Sequence, residues 1–325
     1  MKKVYLTENI YDRNIQKVST REGYGQGLVE LGKRNRNVVV LCADLSESTK
    51  ADMFKEKFPD RYIEVGVAEQ NLVTVASGLA AAGKIPFASS FAVFMPGRCL
   101  EQIRTTICYN NANVKLAGAH AGVNVGADGA THQALEDIAT MRALPNMVVV
   151  APCDVNETRK ATVALAKIKK PAYIRFAREK TPVFTTERTP FKLGRAEVFR
   201  DGSDVAIIAC GPILYQAMLA ARSLEKQKIS AMVINNHTIK PLDEDLVLKA
   251  AKRTGCIVTA EDHQVTGGLG GAVAEFLSEK YPVPVVRVGV RDKYGESGSA
   301  DELIKKFGLT DRDIVMAVRG VLKLK

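Results

Sequence analysis

The segment Val65–Gly83 reads VGVAEQNLVTVASGLAAAG and joins a strand to a helix without a break. A short β-type run ends at Gly66, and the spacing of Ala, Leu and Val that follows is typical of a buried helix. The same alternation continues along the chain, which predicts an α/β fold with mainly parallel sheets flanked by helices. The predicted strands are NVVVLCAD, YIEVGV, IPFASSF, NVKLAGAH, NMVVVAP, PAYIRFA, DVAIIAC, ISAMVINN, GCIVTAED and VPVVRVG.

One stretch breaks this alternation. Between Lys180 and Leu193 the sequence TPVFTTERTPFK is rich in Thr and Pro and has no periodicity, which is typical of a linker. We therefore predict two α/β domains, at residues 1–180 (with a short N-terminal arm) and 194–325, joined by a linker at residues 181–193. A chain of 325 residues with 46% hydrophobic content can bury two such cores.

Composition narrows the class of protein. The six cysteines are spread without a C-x-x-C pair, which predicts reduced core thiols and a cytoplasmic protein. The N-terminus has no apolar signal region and no run is long enough to cross a bilayer, so we expect no membrane association. The net charge of +10 comes from dispersed lysines and arginines, which favours anionic ligands or an acidic partner over nucleic acid.

The segment Ser19-Thr20-Arg21-Glu22 predicts the start of a helix. Ser19 with Glu22 three residues later fits a capping box. Arg21 then lies in the first helical turn, where its charge opposes the helix dipole and where free backbone N–H groups favour an anion. An anion site and a solvated surface arginine both fit this spacing.

The stretch Ala119–Met141, AHAGVNVGADGATHQALEDIATM, follows a predicted strand and carries most of the candidate chemistry. It concentrates His120, Asp128 and His132 in a glycine-rich loop before a helix predicted at Ala134–Leu144. Imidazoles that exchange protons near neutral pH and a carboxylate that binds hydroxyls suit a sugar. A metal site is disfavoured because no ligand pair has helical spacing, although the polar residues also fit a simple glycine-rich turn.

Several segments together resemble the C-terminal half of a transketolase, over nearly the whole chain. They are STREGYGQGLVELG, CADLSEST, EVGVAEQN, SSFAVF, AHAGVNVGADGATHQALEDIATMRALPN, YIRFARE and RDKYGESGSADELIKKFGL. The resemblance implies a pyrimidine-binding domain followed by the transketolase C-terminal domain. It also implies a split thiamine diphosphate enzyme, because the family's first domain, which binds the diphosphate and Mg²⁺, lies outside these motifs.

On the cofactor side, the resemblance assigns a role to Glu69, which helix capping alone would otherwise explain. Its place in GVAEQN matches the catalytic glutamate that bonds the aminopyrimidine of thiamine diphosphate. Phe91 and Phe94 match aromatic residues of the pyrimidine pocket, with Phe94 stacking on the ring. Asp44 and Leu45 match cofactor-side residues near the subunit boundary. The following MPGRC is one residue longer than related segments and lacks a further aromatic, so that wall is unassigned.

On the substrate side, the resemblance implies contacts with a sugar phosphate. The matching positions for the phosphate or the donor sugar are Arg21, Ser48, His120 and Arg178. Asp128 also matches a contact to donor hydroxyls, and His132 matches a position that hydrogen-bonds substrate. His120, Asp128 and His132 thus join Glu69 as candidate catalytic residues, and no metal ligand is expected in this chain.

The implied partners follow from the missing domain. An N-terminal transketolase subunit would hold most of the thiamine diphosphate and the Mg²⁺, and two large and two small chains would form a heterotetramer with a homodimer contact. Ketol transfer between sugar phosphates of the pentose phosphate pathway is the implied reaction, and this chain alone should be inactive.

Other functions stay open at this point. A 1-deoxyxylulose 5-phosphate synthase half, a 2-oxo acid dehydrogenase beta subunit and a transketolase specialised for unusual sugars or sulfo-sugars share part of the pattern. A non-catalytic regulatory module is disfavoured, because it would have lost Glu69, the two arginines or the His120 and Asp128 pair, and all are present.

Overall fold

The computed structural model describes residues 5–325 and confirms an α/β fold with mainly parallel sheets flanked by helices. The ten predicted strands are all present, together with four short strands that the sequence did not indicate. The strands are β1 (Lys17–Ser19), β2 (Val38–Cys42), β3 (Tyr62–Glu64), β4 (Ile85–Phe91), β5 (Lys115–Ala119), β6 (Val148–Val150), β7 (Ala172–Arg175), β8 (Lys180–Pro182), β9 (Glu197–Arg200), β10 (Val205–Ala209), β11 (Ala231–Asn235), β12 (Thr238–Lys240), β13 (Ile257–Gln264) and β14 (Val285–Val290).

Helices cover the sheets and connect most of the parallel strands. They are α1 (Thr20–Arg34), α2 (Ser46–Thr49), α3 (Asp52–Lys57), α4 (Glu69–Ala81), α5 (Met95–Arg98), α6 (Leu100–Gln102), α7 (Asp137–Ala143), α8 (Val155–Leu165), α9 (Leu214–Glu225), α10 (Glu244–Thr254), α11 (Leu269–Lys280), α12 (Ala300–Lys306) and α13 (Asp311–Leu322), with 3₁₀ segments at Pro59–Arg61 and Val123–Asp128 and a π-helix at Ile103–Tyr109.

The first sheet has seven strands in the order β12-β6-β7-β5-β4-β2-β3. All residues of β2 are buried, because a parallel strand covered by helices on both faces carries a continuous apolar run. The pairings are parallel except that β12, from beyond the predicted linker, runs antiparallel to β6. The edge of the first sheet is therefore completed by a later part of the chain.

The capping box predicted at the start of α1 is not formed. Ser19 precedes the helix as expected, but its hydroxyl donates to the backbone oxygens of Ala177 at 3.4 Å and Arg178 at 2.7 Å. Glu22 lies instead 3.5 Å from the Lys50 ammonium. The cap fails because β1 pairs with β8, which brings the segment after β7 within reach of Ser19.

The helix predicted at Ala134–Leu144 begins later, at Asp137, and ends at Ala143. Ala134 is in a parallel bridge with Ala121, and its carbonyl accepts from the Gly122 N–H at 2.8 Å. The residues before α7 therefore hold the glycine-rich loop and cannot join the helix.

The second sheet has five strands in the order β14-β13-β10-β11-β9, with only β9 antiparallel. Its β10 is completely buried, with α9 and α13 on one side and α10 and α11 on the other. The last two helices begin with complete capping boxes, Ser299 with Glu302 and Thr310 with Asp313.

The six cysteines are all buried and form no disulfide bonds, in agreement with the prediction from their spacing. None of the helices within residues 5–325 combines the length and the apolar composition needed to cross a membrane.

Candidate active site

The candidate site lies at the carboxyl edge of the seven-stranded sheet. The register places Cys42 of β2 opposite Ser89 of β4, and Phe91 of β4 opposite Ala119 of β5, so these strands end at one edge. This is the edge at which open α/β sheets bind ligands. The predicted residues that follow strands at this edge are Asp44, Leu45 and Ser48 after β2, Glu69 after β3, Phe94 after β4, His120 after β5 and Arg178 after β7.

Two phenylalanines and two histidines form an aromatic cluster. The ring centroids of Phe91 and Phe94 are 5.6 Å apart, and those of Phe91 and His120 are 4.1 Å apart. His132 meets the Phe94 ring edge-on, at 5.3 Å between centroids and an interplanar angle of 69°. The structure thus brings together residues that the sequence assigned separately to the cofactor and to the sugar.

Arg21 connects this cluster to Ser48. Its Nη1 donates to the Ser48 backbone oxygen at 3.0 Å and lies 3.4 Å from Nε2 of His120. Arg178 approaches the glycine-rich loop, where its Nη1 donates to the Val125 backbone oxygen at 2.8 Å and lies 3.5 Å from the Asp128 carboxylate. Two guanidinium groups therefore stand near His120, which suits a bound anion.

His120 is buried and takes a left-handed backbone conformation, with φ of 55°. Burial, reinforced by Arg21, Arg178 and His132, lowers the pKa of His120 to about 3. The imidazole is therefore neutral at physiological pH. Its Nε2 lies beside Arg21, and its Nδ1 is buried with no hydrogen-bond partner in the described part of the chain. An unpaired buried ring nitrogen indicates a polar ligand at this position.

Glu69 is the first residue of α4 and is only 6% exposed. Its carboxylate oxygen lies 2.8 Å from Nη1 of Arg98, and the guanidinium of Arg98 lies 4.0 Å from the centroid of the Phe94 ring. Arg98 thus bridges the acid and the aromatic face. The ion pair gives Glu69 a tertiary partner outside its own helix, which capping alone does not provide.

Arg98 is the functional candidate that sequence reasoning missed. It lies in MPGRC, the segment left unassigned because it departs from the transketolase pattern. The chain there folds as α5, α6 and the π-helix Ile103–Tyr109, and Arg98 ends α5. The departure itself was the available signal, since a π-helix commonly accommodates an extra residue near a functional site.

Asp44 and Leu45 lie at the adjoining strand end, and the contacts that join the other candidates do not include them. Asp44 has φ of 57°, and its N–H donates to the Glu64 carboxylate at 2.7 Å. Leu45 packs against the apolar cluster that contains Phe91. Within residues 5–325, no group of three or more His, Cys, Asp or Glu side chains is arranged to hold a metal ion.

Comparison with known families gives this site its context. Residues 16–183 match the model of the transketolase pyrimidine binding domain, and residues 194–314 match that of the transketolase C-terminal domain. The chain belongs to the transketolase family.

Transketolase relatives of similar length cover nearly all of it. It is 45% identical to the putative transketolase C-terminal section of Methanocaldococcus jannaschii, over 93% of this chain and 96% of that protein. It is 43% identical to the 6-deoxy-6-sulfo-D-fructose transketolase subunit of Clostridium sp. (strain MSTE9), over 94% of this chain and 95% of that protein. Against the transketolase of Mus musculus it is 39% identical over 94% of this chain but only 49% of the mouse protein.

Solved structures agree with this assignment. A structure described as a split gene transketolase, inactive beta4 tetramer, superimposes with a TM-score of 0.89 at 50% identity, over 95% of this chain and 99% of that one. The Leishmania mexicana transketolase superimposes with a TM-score of 0.79 at 25% identity, over 98% of this chain and 48% of that one. The chain is thus a transketolase C-terminal section that spans about half the length of single-chain transketolases.

Proposed function

We propose that this chain is the C-terminal subunit of a split transketolase, which transfers a two-carbon ketol unit from a ketose phosphate to an aldose phosphate. The observation that carries the proposal is the convergence at one sheet edge of a buried carboxylate, an aromatic cluster and two arginines. Each group suits one part of the reaction: Glu69 and Phe94 the cofactor, His120 the sugar, and Arg21 and Arg178 the phosphate.

The residues present fit the pyrimidine half of thiamine diphosphate. A buried carboxylate beside an aromatic face can bond a ring nitrogen while the ring stacks, and Glu69 and Phe94 provide this pair. When bound, thiamine diphosphate supplies the carbanion chemistry of the reaction. Asp44, Leu45 and Phe91 complete the proposed cofactor side. The diphosphate and the Mg²⁺ are assigned mainly to the partner subunit.

The chain's own residues then have defined tasks. Glu69 exchanges its ion pair with Arg98 for a hydrogen bond to the pyrimidine and holds a proton there. Neutral His120 donates a hydrogen bond to the donor sugar from Nδ1, and Arg21 and Arg178 bind its phosphate. Asp128 and His132 contact the donor hydroxyls at the mouth of the aromatic cluster.

The proposed partner is an N-terminal transketolase subunit carrying the diphosphate-binding domain. Support comes from relatives of similar length, which are named a putative transketolase C-terminal section and a transketolase subunit. We propose a heterotetramer of two large and two small chains in the cytoplasm, serving the pentose phosphate pathway. The pyrimidine-binding domain is assigned to residues 1–180 and the C-terminal domain to residues 194–325.

A second candidate concerns the donor. The Clostridium relative is a subunit of a 6-deoxy-6-sulfo-D-fructose transketolase, at 43% identity. A sulfonate and a phosphate are both anions with oxygen acceptors, so Arg21 and Arg178 suit either group.

The test is ketol transfer from xylulose 5-phosphate to ribose 5-phosphate with thiamine diphosphate and Mg²⁺, by this chain alone and with the N-terminal subunit. Activity only in the mixture supports a split enzyme with a shared site. Activity of this chain alone contradicts the need for a partner. A stable complex that is inactive on sugar phosphates but active on the sulfo-sugar identifies the second candidate.

A further inference from the structure

An unassigned contact lies where β13 meets the glycine-rich loop at residues 120–132, which we call the donor loop. Asp262 belongs to β13 in the five-stranded sheet and is buried. Its Oδ1 accepts from the Val123 N–H at 3.0 Å, and its Oδ2 accepts from the Asn124 N–H at 3.3 Å. One carboxylate of the C-terminal half therefore binds two successive N–H groups of a loop that carries the candidate sugar ligands.

The donor loop is shaped to admit this carboxylate. Gly122 has φ of 79°, and a Cβ atom at this position would lie 2.1 Å from Oδ2 of Asp262. A side chain there would force either the loop or Asp262 to move. The glycine and the carboxylate thus depend on each other sterically as well as through hydrogen bonds.

The backbone around the contact is fixed from the other side by Arg175 of β7. Its Nη2 donates to the Asp262 backbone oxygen at 2.7 Å and to the Ala134 backbone oxygen at 3.1 Å. Burial raises the pKa of Asp262, while Arg175 and the N–H groups of Val123 and Asn124 act to lower it. The two loop N–H groups that bind the carboxylate therefore also favour its charged form.

Two further contacts attach the residues that directly follow the donor loop to the C-terminal half. The Gln264 N–H donates to the Leu135 backbone oxygen at 2.8 Å. The Gln133 side chain donates to the Glu296 backbone oxygen at 2.9 Å and to the Gly126 backbone oxygen at 3.0 Å. The loop is therefore held near its beginning by Asp262, and the segment just after it is held by residues of the same half.

This restraint reaches the candidate sugar ligands directly. Arg178 donates to the backbone oxygen of Val125, the residue next to Asn124. His120 lies two residues before Gly122, in a left-handed conformation. A shift of the Val123–Asn124 backbone would move both the Arg178 guanidinium and the unpaired Nδ1 of His120.

We propose that Asp262 is a positioning residue that fixes the donor loop so that His120 and Arg178 bind the anionic donor in one geometry. A glycine-rich loop has high conformational entropy, so without the carboxylate the donor would have to order it on binding. This proposal rests on the proposed ketol transfer and gives the C-terminal half a task in it.

The test variant is Asp262→Asn, with Asp243→Asn as the matched control. Asparagine keeps the volume and one acceptor oxygen but turns an NH₂ group toward one of the two N–H donors. Asp243 is also a buried carboxylate of the C-terminal half and accepts from the N–H groups of Leu246 at 3.2 Å and Ala196 at 2.9 Å, away from the donor loop. Gly122→Ala breaks the same contact from the loop side, should Asp262→Asn fail to fold.

In the isolated chain, Asp262→Asn and Gly122→Ala should speed amide hydrogen exchange over residues 120–132, whereas Asp243→Asn should not. In the two-subunit enzyme, Asp262→Asn should raise the donor KM on the order of tenfold while kcat and the thiamine diphosphate affinity change little. Unchanged exchange in the donor loop overturns the proposal, and so does faster exchange with an unchanged donor KM. If exchange rises but the wild-type complex transfers no ketol unit, the restraint stands and the proposed reaction fails.

Discussion

The two sides of the candidate site are held in different ways. On the donor side, Arg175 is buried and bonds the Asp137 carboxylate through Nε at 2.9 Å, and Asp262 ties the loop to the second sheet. On the cofactor side, Glu69 is held by Arg98, whose side chain is 49% exposed. The candidate sugar ligands are therefore next to buried contacts within the chain itself, whereas the proposed cofactor acid is paired with one half-exposed arginine that it can exchange for another partner.

The largest expected effect is a loss of activity on the cofactor side, where Glu69 is paired with a half-exposed arginine. Glu69→Gln in the assembled enzyme should lower ketol transfer on the order of a thousandfold, because an amide cannot hold the proton that the carboxyl group shares with the pyrimidine. Thermal unfolding of the variant should match the wild type, and the control Glu47→Gln, in the first turn of α2, should stay active. Near-normal turnover of Glu69→Gln would contradict the role assigned to this acid.

On the donor side, removing one partner of the buried Arg175–Asp137 pair should instead lower the free energy of unfolding. Asp137→Asn removes the carboxylate that is bonded to the buried guanidinium of Arg175, so urea unfolding of the isolated chain should show a loss of about 3 kcal/mol. Glu275→Gln removes another arginine partner, that of Arg142, but the Glu275 side chain is 65% exposed. The control should cost less than about 1 kcal/mol. Equal losses in the two variants would remove the contrast between buried and exposed pairs.

The neutral state of His120 predicts a pH effect. Its folded pKa of about 3 lies below the unfolded value of 6.5, so the unfolded chain binds a proton that the folded chain does not. The free energy of unfolding therefore falls as pH falls from 6.5 toward about 3. At about pH 5, the loss due to His120 alone is about 2 kcal/mol. Urea unfolding measured at different pH values should show that His120→Gln removes this acid-dependent loss.

His237 provides the control for this prediction. Burial also lowers the pKa of His237 to about 3, and its ring stacks on Phe191 away from the donor loop. His237→Gln should flatten the pH dependence of stability in the same way but leave the donor KM unchanged, whereas His120→Gln should raise it. An unchanged donor KM in both variants would argue against His120 as a sugar ligand.

The smallest effect on stability is expected at the Arg98 ion pair. Arg98→Met removes a guanidinium whose side chain is already 49% exposed, so we expect water to enter beside the Glu69 carboxylate and to replace the lost partner. We expect urea unfolding of the isolated chain to change by about 1 kcal/mol or less. A loss as large as that of Asp137→Asn would mean that the cofactor side is as firmly built as the donor side.

The sequence predicted the main strands because they are short segments rich in apolar and β-branched residues, of which β2, β6 and β10 are continuous apolar runs. The short strands β1, β8, β9 and β12 escaped prediction because long-range pairing, rather than their own composition, makes them extended. The capping box at Ser19 failed for a related reason, since a tertiary contact competed for the hydroxyl. Local pattern was decisive only where no distant segment offered a better partner.

The candidate site likewise combines residues that a local motif identifies with residues whose roles depend on long-range contacts. Motif resemblance pointed to the residues that gather around His120, because their order along the chain is specific. It did not reveal Arg98 or Asp262, whose proposed roles depend on contacts with Glu69 and with the Val123–Asn124 backbone, far away in sequence. The neutral state of His120 also depends on burial, which a sequence motif does not report.

The antiparallel strand β12 has a consequence for how the molecule is made. During synthesis, β6 and β7 leave the ribosome well before Thr238–Lys240. Until β12 is made, the β6 edge of the first sheet has no strand paired with it. An uncovered edge presents unpaired N–H and C=O groups that can recruit another chain. A fragment ending in the predicted linker would keep this edge open permanently. The second half of the chain is therefore also a protection against aggregation of the first.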